Sequence, residues 1–180
     1  MADSTFDRIR GWIDSFAEDV GALQKLVAAD TAARDARIFG AAALNYLVTR
    51  LDLVPDWEET CGIIDDAMVL RIAAALGSEE DLGEIDADAL RAVAKLANDA
   101  DGVQKFLGED LYPRLKKYVR DLTHKVVRGR HPNAIVDDAK ARATLYDEIK
   151  DELKRLPPAP MSDPDRVARV VKNYLEEKLK

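Results

Sequence analysis

The chain has 180 residues, 47% of them hydrophobic and 34% charged, with a formal net charge of −7. That composition can bury a core and excludes a disordered chain, while the acidic balance excludes general binding to nucleic acid or to an anionic membrane. Cys61 is the only cysteine, which excludes an intramolecular disulfide and a cysteine-based zinc site and fits a reducing cytoplasm.

The opening MADSTFDRIRGW has no apolar signal core. Ser4 and Asp7 have the spacing of a capping box. Phe6, Ile9, Ile13, Phe16, Val20, Leu23 and Val27 then alternate three and four residues apart. This predicts one long amphipathic helix, with Trp12 widening its stripe. Asp30 or Thr31 should cap a second helix that runs to about Arg50. Its small patch Gly40–Ala43 lets a neighbouring backbone approach closely. Pro55 ends any helix before it. Asp56 reads as the cap of a short turn through Glu59, and Gly62 permits a bend. A helix starting at Asp65 or Asp66 should bury Ala67, Met68, Ile72 and Leu76 and stop at Gly77. The apolar runs Gly40–Val48, broken by Asn45, and Ala67–Leu76, broken by Arg71, are both shorter than the ~20 residues a membrane span needs.

Ser78 to Ile85 reads as an acidic connection. Asp86 precedes a helix through Leu90, Val93 and Leu96, and Asp101-Gly102 reads as a break. Asp110, with Pro113 in the first turn, opens a helix carrying Leu115, Tyr118, Val119, Leu122 and Val126, closed by Gly129 and Pro132. Ile135, Ala139, Arg142, Tyr146, Ile149, Leu153 and Leu156 predict one further helix. Leu156-Pro-Pro-Ala-Pro160 is a stiff linker. A last helix opens at Ser162 or Asp163, with Pro164 behind the cap, and shows Val167, Val170, Val171, Tyr174, Leu175 and Leu179. No strand is legible. The expectation is an all-α fold, a compact multi-helix bundle of about seven or eight helices without a sheet. It divides into a helical domain over residues 1–156 and a Pro-rich linker with a C-terminal amphipathic helix over residues 157–180.

The stretch YLVTRLDLVPDWEETCGIIDDAMVL, from Tyr46 to Leu70, places Asp52, Asp56, Asp65 and Asp66 around one proline and one glycine. Between about residues 38 and 76 the wording resembles the YkvA-like proteins, domain of unknown function 1232, in Tyr46, Asp52, Pro55, Asp56, Gly62, Asp65 and Asp66. Thr49-Arg50 stands where that family reads Ser-Pro. The resemblance implies a helical fold and no activity.

The four aspartates have two readings. As caps and ion-pair partners they would hold helix starts, with Arg50 as counter-charge. As hard oxygen ligands they would hold a divalent cation, the only cofactor the sequence suggests. Capping is the reading preferred, and no cofactor is expected. Asp65-Asp66 is a weak acid–base pair, because adjacent helical residues diverge by roughly 100°. No hydrolase, zincin, P-loop or dinucleotide fingerprint occurs.

Charge is unevenly spread. Residues 78–110 hold ten acids and three bases; residues 112–131 hold seven Arg/Lys and one acid. Arg114, Lys117, Arg120, Arg128 and Arg130 are therefore candidate contact residues for an anionic partner, beside His124 and His131. The leading expectation is a cytoplasmic, non-catalytic helical protein acting through a protein partner or a second copy of itself. A metal-binding module or metal-dependent enzyme on the aspartates, and an anion-binding module on residues 114–130, are the alternatives.

Overall fold

The computed structural model describes residues 5–49, 52–55, 62–156 and 163–180, with Phe6 described by its backbone alone. Eight α-helices and no strand occur among them. The protein is an all-α, multi-helix bundle.

The first stripe forms two helices, α1 (Thr5–Asp14) and α2 (Phe16–Ala28), and not one. The interruption is slight. Ser15 keeps right-handed helical dihedrals, its amide donates to the Gly11 carbonyl at 3.1 Å, and its own carbonyl accepts from Asp19 at 2.9 Å. The stripe stays in phase across the bend, and Ile9, Trp12, Phe16, Val20, Leu23 and Val27 are all buried.

Helix α3 (Arg34–Tyr46) starts later and ends earlier than the sequence suggests. Neither Asp30 nor Thr31 caps it; Ala33 precedes it without a side-chain cap. Asp30 accepts from Arg37 instead, and the Thr31 hydroxyl accepts from the Glu84 amide. The small patch does admit close neighbours: a Cβ on Gly40 would lie 2.9 Å from Val27 Cγ2.

Helix α4 (Ile64–Gly77) is buried on every side, as a helix apolar all round must be. It packs against α1, α2, α3 and the long α5 (Ala87–Asp121). Asp86 caps α5 as its position predicts, accepting from the Ala89 amide at 2.8 Å.

The break in α5 falls at Gly108 and not at Asp101-Gly102. Gly102 is buried within the helix, against Arg8 and Asp99. Gly108 has φ 79° and ψ −177°, a region open essentially to glycine alone. The second half of α5 starts just beyond it, so Pro113 lies inside the helix, five residues past the kink, and not in the first turn that the sequence pattern assigns to it. A 3-10 turn, Leu122–His124, ends it. Val127 and Arg130 then exchange backbone hydrogen bonds of 3.0 and 2.9 Å around Arg128 (φ 48°) and Gly129 (φ 76°). This two-residue reversal has the positive dihedrals of a type I′ turn. Val126 lies outside the helix and is exposed, contrary to the sequence pattern.

The next stripe is split as well. Helix α6 (Pro132–Asp137) stops at Asp138, whose extended backbone and side-chain bond to the Lys140 amide start α7 (Ala139–Arg155). Arg142 closes the gap by donating to the Ile135 and Val136 carbonyls. Helix α8 (Pro164–Lys178) is capped by Asp163 and lies on α5. Its inward side chains Val167, Val171, Leu175 and Leu179 join the one contiguous apolar core.

Candidate functional site

Asp65 and Asp66 sit in the first turn of α4, but Ile63 precedes the helix and makes no side-chain cap. The capping expectation is corrected here, because Asp65 turns into the protein, where it is fully buried. Its Oδ2 accepts from the Tyr46 hydroxyl at 2.6 Å and from the Val54 amide at 3.2 Å. The Tyr46 oxygen in turn accepts from the Leu53 amide at 2.8 Å. One carboxyl and one phenol thus take up the backbone donors of a segment that belongs to no helix. Such donors must find partners once buried.

Among the described residues the site holds little compensating charge. The carboxyl faces the amides of Asp65 and Asp66, yet Oδ1 makes no hydrogen bond among the described residues. Burial pushes the Asp65 carboxyl up to about 7 against these stabilising hydrogen bonds. Burial, with the nearby Asp65 and Asp66 carboxylates, pushes the Tyr46 phenol well above its ordinary value. Tyr118 packs edge-on to Tyr46 at 6.1 Å. Its phenol is pushed up to about 12, first by burial and then by Asp65 and Asp52. Lys125 reaches the Tyr118 oxygen at 3.4 Å and lies over its ring. Lys178 of α8 donates to the Asp52 carbonyl at 2.5 Å.

Asp56 and Arg50 lie outside the described residues, so the four-aspartate set and its expected counter-charge are described only in part. Among the described residues no group of three or more His, Cys, Asp or Glu is placed to hold a metal ion.

A second buried polar centre was missed by sequence reasoning. Arg71, in mid-α4, is 3% exposed. Its Nη2 donates to Asp19 at 3.0 Å and to the Ser15 hydroxyl at 3.3 Å, its Nε donates to Asp99 at 2.6 Å, and its Nη1 donates to the Ala67 carbonyl. Trp12 covers the guanidinium at 5.3 Å. The network ties α1 and α2 to α4 and α5. The available signal was the arginine itself, a charge inside an apolar helical run that must carry its partners with it.

The basic segment is largely engaged with the chain's own acids. Arg114 pairs with Asp110, Lys117 with Asp121, and Arg128 and Arg130 both with Glu148. Arg120 is exposed. His124 is exposed at the end of the 3-10 turn, and the His131 ring accepts from the Asn133 amide.

The acidic connection is an exposed charged surface. Glu79, Glu80, Asp81, Glu84, Asp86 and Asp88 all face solvent, while the backbone beneath them is pinned. The Asp81 carbonyl accepts from the Ala33 amide at 2.7 Å, the Glu84 amide donates to the Thr31 hydroxyl at 2.9 Å, and Gly83 bonds back to the Asp81 side chain. Gly83 has φ 66°, and a Cβ there would fall 2.4 Å from the Thr31 backbone, so only glycine fits. Asp86 pairs with Lys25 and Asp88 with Arg91.

Comparison with protein-family models, with curated proteins and with solved structures gave no match.

Proposed function

We propose that the protein acts in the cytoplasm by binding another protein, and that the strap of residues 79–88 is the surface it offers. The observation carrying this reading is the pinned strap: a backbone fixed to the α2–α3 turn beneath solvent-facing carboxylates. A surface already ordered loses little entropy on binding. Its charge calls for a partner segment rich in Lys and Arg, steered in by the field of a chain with net charge −7. The heptad stripes of α1–α2 and of α8 are covered by the protein's own core, which leaves charge, and not a free apolar stripe, as the means of contact. On this reading the YkvA-like resemblance of residues 38–76 describes a packing scaffold, since α3 and α4 supply much of the buried core.

The test is capture from the native cell, followed by titration of the purified partner. Binding should weaken steeply between roughly 50 and 300 mM salt, because exposed charges are screened beyond a Debye length of about 10 Å at 0.1 M. It should be lost in the triple variant Glu79→Gln, Glu80→Gln, Glu84→Gln, whose melting temperature should match the wild type. A partner held equally well by that variant would overturn the reading. So would a chain that retrieves nothing and stays monomeric by light scattering across micromolar concentrations.

A further inference from the structure

We propose that Asp65 is a proton-operated latch: neutral, it stays in the core and holds residues 52–55 down; ionised, it favours lifting that segment into water.

The geometry carries the proposal. Asp65 is 0% exposed, and its Oδ2 is the common anchor of the Tyr46 hydroxyl and the Val54 amide. The Leu53 amide reaches the same anchor through Tyr46. Releasing the carboxyl therefore releases both backbone donors at once. Full burial favours the neutral form, and it acts against the hydrogen bonds from the Tyr46 hydroxyl and the Val54 amide, which favour the ionised one. Facing the carboxyl are the Tyr46 phenol from α3 and the Tyr118 phenol from α5. Asp66 lies on its own helix, and Asp52 on the segment it holds; both add negative charge. Among the described residues the nearby cations Lys125 and Lys178 are engaged elsewhere, Lys125 on Tyr118 and Lys178 on the Asp52 carbonyl. A carboxylate that has no cation of its own among the described residues, and an oxygen without a hydrogen bond among them, is costly to bury. Residues 52–55 lie outside every helix, so lifting them breaks no helical hydrogen bond, at the cost of exposing the buried Leu53 and Val54. Lifting the segment hydrates Asp65 and returns it to ordinary carboxylate behaviour.

By linkage, the closed form binds a proton that the open form gives up. Burial raises the closed-form carboxyl to about 7 from an ordinary 3.8. Opening should then rise by nearly tenfold per pH unit between roughly pH 5 and 6.5 and level off above about 7.5.

Hydrogen exchange of the intact protein, followed by mass spectrometry and corrected for the intrinsic rate, reads this directly. The peptide covering residues 47–55 should exchange roughly 50-fold faster at pH 7 than at pH 5. It should also exchange faster at each pH than a peptide from α2. Asp65→Asn should remove the pH response. Carbon-13 titration of the wild-type Asp65 carboxyl keeps the test sharp if that variant folds poorly, since its midpoint should lie near 7. Four results would overturn the latch. One is protection of residues 47–55 that does not change with pH. Another is an unchanged pH response in Asp65→Asn. A third is exchange no faster than in α2, which would mean global unfolding. The last is a midpoint in the ordinary carboxylate range.

Discussion

Arg71 gives up its hydration to sit 3% exposed in the middle of α4, and Asp19, Asp99 and Ser15 replace that water. Deleting one member of such a network strands the others in the core. Arg71→Ala should therefore cost about 3–5 kcal/mol, read as a shift in the urea midpoint at unchanged slope; a loss below ~1 kcal/mol would mean that Asp19 finds water. Tyr46→Phe probes the other centre. It removes the acceptor of the Leu53 amide and the donor to Asp65, and a loss of ~1–3 kcal/mol is expected from the groups left unsatisfied. In the sequence Arg71 shows only as a break in an apolar run and Asp65 only as a helix start or a cation ligand, and neither reads as a buried centre. The partners of Arg71 are not legible either, because Asp19 and Asp99 lie 52 and 28 residues from it, and no local pattern encodes those pairings.

At the scale of elements, periodicity found the helices and erred at their joints. A heptad stripe survives a bend that keeps its phase, so α1 and α2 read as one helix, and α6 and α7 likewise. Gly102 and Gly108 show the limit of composition. Both are glycines in one helical stretch, yet tertiary packing decides that the first stays helical and the second kinks. Gly108→Ala should destabilise by ~1–3 kcal/mol through backbone strain alone, since a Cβ there meets nothing within 4 Å. Unchanged thermal unfolding would show that the kink relaxes. The C-terminal helix gives a larger effect. Val167, Val171, Leu175 and Leu179 are buried, and each is worth ~1.5–3 kcal/mol if fully covered. Removing residues 157–180 should therefore cost more than ~5 kcal/mol, a large part of a typical total of ~5–15. A truncated chain that melts within a few degrees of the full one would make α8 a detachable arm.

At the scale of the whole molecule, stability should peak on the acid side of neutrality. Asp86, Asp137, Asp151 and Glu148 are held below their ordinary values by hydrogen bonds to the Ala89 amide, Arg34, Lys154 and Arg130 respectively. Groups with lowered values stabilise the fold above the ordinary carboxylate range, and that contribution is lost as pH falls through about 4. Asp65 acts in the opposite sense. Its value is raised to about 7 by burial, so its contribution is complete when the group is neutral in both states. It declines as pH rises from about 4 and is gone above about 7. The span corresponds to at most ~4 kcal/mol, from ~1.4 kcal/mol per pH unit. The two limbs enclose a maximum between roughly pH 4.5 and 6. Urea unfolding from pH 3.5 to 8.5 should trace that maximum. Asp65→Asn should flatten the alkaline limb and leave the acid limb in place, since the groups responsible for the acid limb lie on other surfaces. Wild-type stability that stays level from pH 5 to 8 would show that Asp65 is ionised in the folded state, with its charge compensated from within the site.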